Sequence, residues 1–312
     1  MPLIPHYATT TYADDLNDVW GYVAPDGTEY ALVGLHNRLS IVSLADPDNI
    51  VEVASVSGAN STWRDMKTYG EHAYVVAEKG QDGILSVDLS NLPTSVTHQF
   101  YNTNNLPSGD LKQAHNLFID EDTGLAYLAG ASFASGGVNN GGMVIYDVAT
   151  TPGVPVFVVF GPNIYSHDGF VQNGLMYASE IYAGKLTIYD VSDLQNITTV
   201  GSTLTPTTYT HNAWASADGN YVFTTDERGG ASTAAYGISD SIDIMPMDEF
   251  LPARTLNTST IPDNLHVHNK YLATSHYIDL VQIVDATNPA HHIEIAHYEP
   301  CTGGDLGLHL LL

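Results

Sequence analysis

Apolar and polar positions alternate in short runs along the whole chain, and no stretch keeps the three-to-four-residue spacing of a helix. Leu39-Ser40-Ile41-Val42, Leu85-Ser86-Val87-Asp88, Met143-Val144-Ile145-Tyr146-Asp147, Leu186-Thr187-Ile188-Tyr189-Asp190 and Val281-Gln282-Ile283-Val284-Asp285 are such runs. Their β-branched and aromatic content suits a pleated surface. A run opening on a tyrosine recurs at Tyr30, Tyr74, Tyr127, Tyr177, Tyr221 and Tyr271, shortly after Gly27, Gly70, Gly124, Gly174, Gly219 and Asn269. Gly and Asn tolerate the positive φ of a tight turn, so a β-hairpin is predicted at each. Turn residues such as Asp46-Pro47-Asp48 and Thr287-Asn288-Pro289 lead to a fourth run, clearest in Val51 to Val56, Val156 to Phe160 and Ile293 to His297.

The first run of each unit opens on a polar pair: Arg64-Asp65, His115-Asn116, His167-Asp168, His211-Asn212 and Asp263-Asn264. Successive second members lie 51, 52, 44 and 52 residues apart. A period of that length marks a repeat architecture, and four strands per repeat make a propeller blade. The fold class predicted is therefore all-β, a β-propeller of six recognisable four-stranded blades in one domain, 1–312. The blades fall at about residues 18–57, 61–100, 114–160, 166–205, 210–253 and 262–299. The fifth is the least regular, because Ala234 to Ser239 is a weak apolar run. Leu3 to Thr10, within residues 1–10, could add an outer strand to the last blade and remove exposed sheet edges. After Tyr298 the pattern gives way to Cys301-Thr302-Gly303-Gly304 and an apolar tail, so a seven-bladed ring would have its seventh blade incomplete here.

Composition narrows the partners. Nine Lys and Arg against 35 Asp and Glu give a formal charge of −26, which argues against nucleic acid and anionic membrane. Cations and basic surfaces fit better, although much of this charge keeps a surface soluble. Asp120-Glu121-Asp122 sits where the third blade's first hairpin turns, so turn chemistry is expected there in preference to a calcium site. One cysteine, Cys301, excludes an internal disulfide and a zinc-type Cys pair. Met1 to Thr10 lacks the basic region and apolar core of a signal peptide, as expected of a mature form or a piece of a longer precursor. No stretch reaches transmembrane length, so direct membrane insertion is not expected.

Several strings together resemble the choice-of-anchor B family, whose members are built from LVIVD-type propeller repeats. They are DVWGYVAPDGTEYALVGL from Asp18, WRDMKTYGEHAYVVAE from Trp63, AHNLFIDEDTGLAYLAG from Ala114, YSHDGFVQNGLMYASE from Tyr165 and YTHNAWASADGNYVFTTDE from Tyr209. The IVSLADP and LTIYDVSD segments are similar to the repeat itself. The resemblance spans about residues 15 to 300. It implies a bacterial extracellular or cell-surface propeller with a variable C-terminal anchor, and no established catalytic activity. No such anchor is recognisable after Cys301.

Propeller geometry places the polar pairs. The first strand of a blade lines the central channel, and it begins where the antiparallel second strand finishes. The second runs finish in Glu78, Glu180, Asp226-Glu227 and Ser275-His276. Pairs and acids are therefore expected at one mouth of the channel. Metal candidates are His115, His167, Asp168, His211 and Asp226; ligand-binding candidates are Trp63, Arg64, Asp65, Glu78, Asn116, Asn212, Asp263 and His276. Catalytic candidates are His167 or His211 as ligand or general base, and Glu180 or Glu227 as acid or base. Imidazole with carboxylate favours zinc, manganese, iron or nickel, whereas oxygens alone favour calcium or magnesium. A competing role fits the same residues: each side chain hydrogen-bonds the neighbouring blade's backbone and locks the first strand.

Other signals point to structure. There is no G-x-S-x-G turn for a serine nucleophile. Gly136-Gly137 and Gly141-Gly142 flank an Asn pair in what reads as a surface loop, His291-His292 reads as an exposed turn, and Trp20 and Trp214 read as core. Trp63 beside Arg64 could serve as a sugar-stacking rim. The expected function is a secreted or cell-surface module binding a glycan, protein or small molecule, with ligand or metal at the channel mouth. The alternative is a metal-dependent hydrolase or lyase using the same ring, and a third reading is a scaffold in an adhesive assembly.

Overall fold

The structure is a computed structural model of the 312-residue chain, describing residues 8–102, 106, 109–134, 141–238, 243–252, 259–277 and 280–298. All regular structure among these residues is β. Six four-stranded antiparallel sheets follow one another along the chain, each ordered first to fourth strand without a crossover. Their first strands are Leu16–Val23, Arg64–Tyr69, Asn116–Asp120, Asp168–Gln172, Thr210–Ala215 and Pro262–His268. Their last strands are Val51–Ser57, Thr97–Tyr101, Val156–Phe160, Thr198–Leu204, Met245–Phe250 and Ile293–Tyr298. A short extra pair, Leu111–Gln113 with Ser132–Phe133, flanks the third blade.

The turn chemistry expected from sequence is present. Gly27, Gly70, Gly124, Gly174 and Gly219 have φ between 55° and 87°, and Asn269 takes φ 55° in the same role. Asn is the one non-glycine side chain of this set because its short amide tolerates the left-handed region. A register shift between third and fourth strands recurs at Ile41/Val42, Ile145/Tyr146, Ile188/Tyr189, Ala235/Tyr236 and Ile283/Val284. Such bulges increase local twist, and blade two pairs its last two strands without one. The weak run of blade five forms the full third strand Thr233–Gly237. Asp120 to Thr123 is an exposed turn in which Thr123 Oγ1 donates to Asp120 Oδ2 at 2.6 Å. Of the suggested closing strand, residues 8–10 carry no strand and 1–7 lie outside the described residues. Residues 136–137 and 299–312 also lie outside them.

The chain parts into two compact units between Ile164 and Tyr165, with three blades in each. In the N-terminal unit, Tyr30, Leu32, Leu39, Ile41 and Met66 join Val75, Leu85 and Val87 in one buried cluster. Tyr74, Val76 and Ile84 join Leu117, Leu128 and Tyr146 in the next. In the C-terminal unit Phe223, Ala235, Leu265, Leu272 and Val284 form the cluster between blades five and six. Each large side chain so buried contributes about 1.5–3 kcal/mol. The tyrosines that open second strands belong to this packing: Tyr30, Tyr74, Tyr127 and Tyr177 are all buried. Burial pushes the Tyr177 phenol up to about 12, so it is neutral under ordinary conditions.

The second member of the polar pair holds blades together. Asp65 Oδ2 accepts from Leu117 N–H at 2.6 Å, one blade on. Asn212 Oδ1 accepts from Leu265 N–H at 3.2 Å, and its amide donates to Asp168 Oδ2. The first blade uses Asn17, whose Oδ1 accepts from Arg64 N–H at 2.9 Å. A buried backbone donor left unmatched would cost about 1–3 kcal/mol, so these polar side chains supply what the sheet ladders cannot.

Candidate metal centre

In the C-terminal unit the first strands of blades four and five carry histidines to the end where the second strands finish. His167 precedes Asp168–Gln172, and its N–H donates to Ser179 O at 2.8 Å, which pins the residue beside the end of the second strand. His211 lies within Thr210–Ala215. Glu227 follows Tyr221–Asp226, and its N–H donates to Tyr209 O at 3.2 Å. One ligand atom from each of His167, His211 and Glu227 lies within 4.8 Å of the other two. Bonds of 2.0–2.2 Å to one ion imply separations of roughly 3–4 Å, close to this spacing. The imidazole rings are 4.2 Å apart at 43°.

Hydrogen bonding sets both tautomers. His167 Nδ1 is 3.1 Å from the His211 carbonyl oxygen, which can only accept, so Nδ1 carries the proton and the lone pair falls on Nε2. His211 Nε2 is 3.2 Å from Asp263 Oδ1, so that nitrogen donates and the lone pair falls on Nδ1. His211 is buried, and its Nδ1 has no hydrogen-bond partner. Tying one ring nitrogen to an oxygen so that the other can bind an ion is the usual support for a metal-ligating histidine. Asp263 is itself buried, and Thr225 Oγ1 donates to its carbonyl. Tyr277 donates its hydroxyl to Glu227 Oε1. Burial, with Asp263 and Glu227 nearby, pushes that phenol far up, so it remains a donor. Two neutral imidazoles and one carboxylate fit zinc, manganese, iron or nickel better than calcium.

The remaining sequence candidates separate. Asp168 Oδ1 accepts from Gly169 N–H at 2.6 Å and its other oxygen from Asn212, so both its oxygens are engaged within the sheets. Asp226 Oδ2 accepts from Thr207 N–H at 2.6 Å and Thr207 Oγ1 at 2.8 Å, anchoring the loop that leads to Tyr209 and His211. Glu180 is buried and accepts from Tyr189 hydroxyl at 2.6 Å inside its own blade. His276 is buried at the end of Tyr271–His276, across from Pro262. Glu227, with one carboxylate oxygen toward Tyr277, is the acid that joins the histidines.

The N-terminal unit forms a second polar group of its own. His115 Nδ1 lies 3.4 Å from Glu78 Oε1, and its ring is 6.2 Å from that of Trp63, which is 39% exposed. Burial raises the Glu78 carboxyl, but the hydrogen bond and charge of His115, with Lys79, outweigh it and hold Glu78 below its ordinary range. Asn116 is half-buried opposite Ala129. Arg64, expected at a ligand rim, is buried: Nε donates to Leu35 O at 3.0 Å and a terminal nitrogen donates to Ala59 O. Its guanidinium therefore braces backbone. Asp65 Oδ1 meets Lys67 Nζ at 2.5 Å, and Lys67 lies 4.5 Å over the Trp20 ring.

Three functional-looking residues escaped the sequence reading. Asn17 sits 48 residues before Asp65, so extending the period backwards would have found it. Tyr277 directly follows a second-strand end that was singled out at His276. Asp18 had no signal, because its meeting with Asp65 and Lys67 crosses blades. His292, expected exposed, is buried against Phe223 and Phe250, with Nδ1 3.0 Å from Asp248 Oδ2. Burial depresses its ring despite that carboxylate. Trp214 packs on Phe170 and His266 at 4.6 and 4.3 Å, as core. A cavity of about 400 Å³ lies among Ser216, Asp218, Tyr221, Lys270 and Thr287, at the hairpin-turn end of blades five and six.

No family model matches the chain, and no curated protein matches it. Solved structures do. The periplasmic gluconolactonase of Pseudomonas aeruginosa superposes with a TM-score of 0.64 at 12% identity, over 96% of this chain and 89% of that one. The β-propeller domain of Cps50 (Swd1) from Myceliophteria thermophila gives 0.62 at 10% identity, over 91% and 86%. The fold is a β-propeller. A functionally unknown protein of Desulfotomaculum acetoxidans DSM 771 matches this propeller at 0.61 and 13% identity, over 96% and 90%. At such identities the likeness carries architecture alone. No helix among the described residues of the propeller is long and apolar enough to cross a membrane.

Proposed function

We propose that this propeller is a ligand-binding module whose C-terminal unit holds a divalent transition metal on His167, His211 and Glu227, the ion offering its remaining positions to an oxygen-bearing ligand. The observation that carries this reading is the buried His211 Nδ1, left without a partner by the Nε2 contact to Asp263. A histidine meets the buried Asp263 carboxylate through Nε2, as an apolar side chain could not, and keeps a lone pair on Nδ1 beside His167 and Glu227, which points to an ion. The strings that resemble the choice-of-anchor B family support an extracellular or cell-surface setting.

Metal analysis by mass spectrometry on the full chain, stripped and then titrated with zinc and manganese, tests the proposal. One equivalent per chain is expected, with His211→Ala and Glu227→Gln reducing it to a small fraction while the circular dichroism spectrum is kept. Failure of the wild-type chain to retain either metal overturns it.

A second reading has its own support. Three protein ligands leave positions for water or substrate, as in catalytic zinc sites, and a structural neighbour is a gluconolactonase. A divalent ion held by His167, His211 and Glu227 would supply Lewis acidity and an activated water there. Metal-dependent turnover of a sugar lactone or aryl ester, lost in Glu227→Gln, would establish hydrolysis. Its absence in the metal-loaded protein would rule that reading out.

A further inference from the structure

Two tyrosines and an arginine neighbour the proposed metal ligands in the chain, and a third tyrosine joins them in space. Tyr165 is two residues before His167, Tyr209 two before His211, and Arg228 directly follows Glu227. Two residues of backbone span at most about 7 Å, so each lies within a short reach of a ligand. Tyr182, in the turn after the second strand of blade four, links them: its ring is 4.8 Å from Tyr165 at 44° and 6.5 Å from Tyr209 at 75°. The Arg228 guanidinium sits 4.8 Å over Tyr209. Tyr182 is 73% exposed, the largest value among the exposed large apolar side chains. Core packing does not explain an aromatic ring kept in water and braced by two others.

The arrangement is built locally. Gly184, at φ 66°, closes the turn that presents Tyr182, and a Cβ there would come within 2.6 Å of Thr208 Cβ. The Tyr182 turn and the Tyr209 loop are thus in contact at Gly184 and Thr208, while Asp226 fastens the second loop through Thr207. The platform is held from both sides.

We infer that this platform recognises a uronic-acid saccharide, its sugar ring stacked on Tyr182 and its carboxylate shared between Arg228 and the metal. The inference rests on the metal reading for the second carboxylate contact alone. Exposed tyrosines offer a flat, amphipathic face to the C–H side of a pyranose. Tilted rings 4.8 Å apart leave no parallel slot for a planar base to enter, which disfavours a nucleotide. In a chain with 35 acidic and nine basic residues, Arg228 makes no ion pair with a carboxylate among the described residues. Its planar fork is left to a carboxylate from outside.

Isothermal titration of the zinc-loaded full chain with trigalacturonate, maltotriose and adenosine monophosphate tests this. Trigalacturonate is expected to bind at least about tenfold more tightly than maltotriose or the nucleotide. Tyr182→Ala should weaken it about tenfold with metal stoichiometry unchanged, and the exposed position makes misfolding no explanation. Arg228→Gln should bring trigalacturonate and maltotriose to within about twofold. If zinc binds and trigalacturonate does not, or binds Tyr182→Ala as well as wild type, the inference falls and the metal reading stands. Tighter binding of the nucleotide likewise overturns it. If zinc fails to bind but trigalacturonate still depends on Tyr182 and Arg228, the platform stands and the metal reading falls.

Discussion

His211 Nε2 lies 3.2 Å from Asp263 Oδ1, and both side chains are buried. The carboxylate accepts a hydrogen bond from Nε2–H, so Nδ1 keeps a lone pair where no protein donor meets it. Asp263→Asn is expected to weaken zinc affinity by about 10–100-fold, because an amide orients the ring less firmly and lowers its basicity. Competition titration with a chromophoric chelator measures it, and an unchanged affinity would show that Asp263 does not set the tautomer.

Asn212 satisfies Leu265 N–H and Asp168 Oδ2 at once. Asn212→Ala leaves a buried donor and a buried carboxylate short of partners, so a loss of about 2–4 kcal/mol is expected in urea unfolding. His167→Ala, which removes no second-member contact, should cost clearly less. Equal losses would contradict the division of labour within the polar pair.

Asp18 is a pH-dependent element of the N-terminal unit. Burial and the neighbouring Asp65 carboxylate raise it well above its ordinary value, and Lys67, which pairs with Asp65 at 2.5 Å and stands 3.9 Å from Asp18, offsets them only in part. A raised folded-state value means that the protonated form is favoured by folding. Its stabilising contribution is present in full below the ordinary Asp range near pH 4 and is lost as pH rises through the raised value. The melting temperature of Asp18→Asn relative to wild type should therefore climb from pH 4 to pH 8. A difference that shrinks with rising pH would refute this assignment.

Gly184→Ala should destabilise by about 2–3 kcal/mol, since φ is 66° and the new Cβ would press on Thr208 from 2.6 Å. Because that contact joins the Tyr182 turn to the Tyr209 loop, the variant should also show altered tyrosine fluorescence below its melting temperature. A variant as stable as wild type would mean that the two loops move apart without cost.

Much of the fold was legible along the chain because its determinants are local. Gly70 before Tyr74, and Asn269 before Tyr271, announce hairpins through backbone sterics that need no distant partner. The repeat carried this signal six times, so even the weak Ala234 run could be placed as a strand. His292 was misjudged for the converse reason: its sequence neighbours form a turn, but Phe223 and Phe250, from the preceding blade, cover it.

The centre shows the same boundary more sharply. Chain order alone was sufficient to nominate His167, His211, Glu227 and Asp263, because strand alternation and antiparallel pairing put strand starts beside strand ends. It could not distinguish Asp226 from Glu227, adjacent carboxylates that differ in whether Thr207 or Tyr277 receives them. Nor could it separate the two members of a pair such as His211-Asn212, where Asn212 hydrogen-bonds the neighbouring blades and His211 stands beside His167 and Glu227. Those choices depend on side-chain direction across contacts 44 to 53 residues apart, and such contacts exist only once the blades are packed.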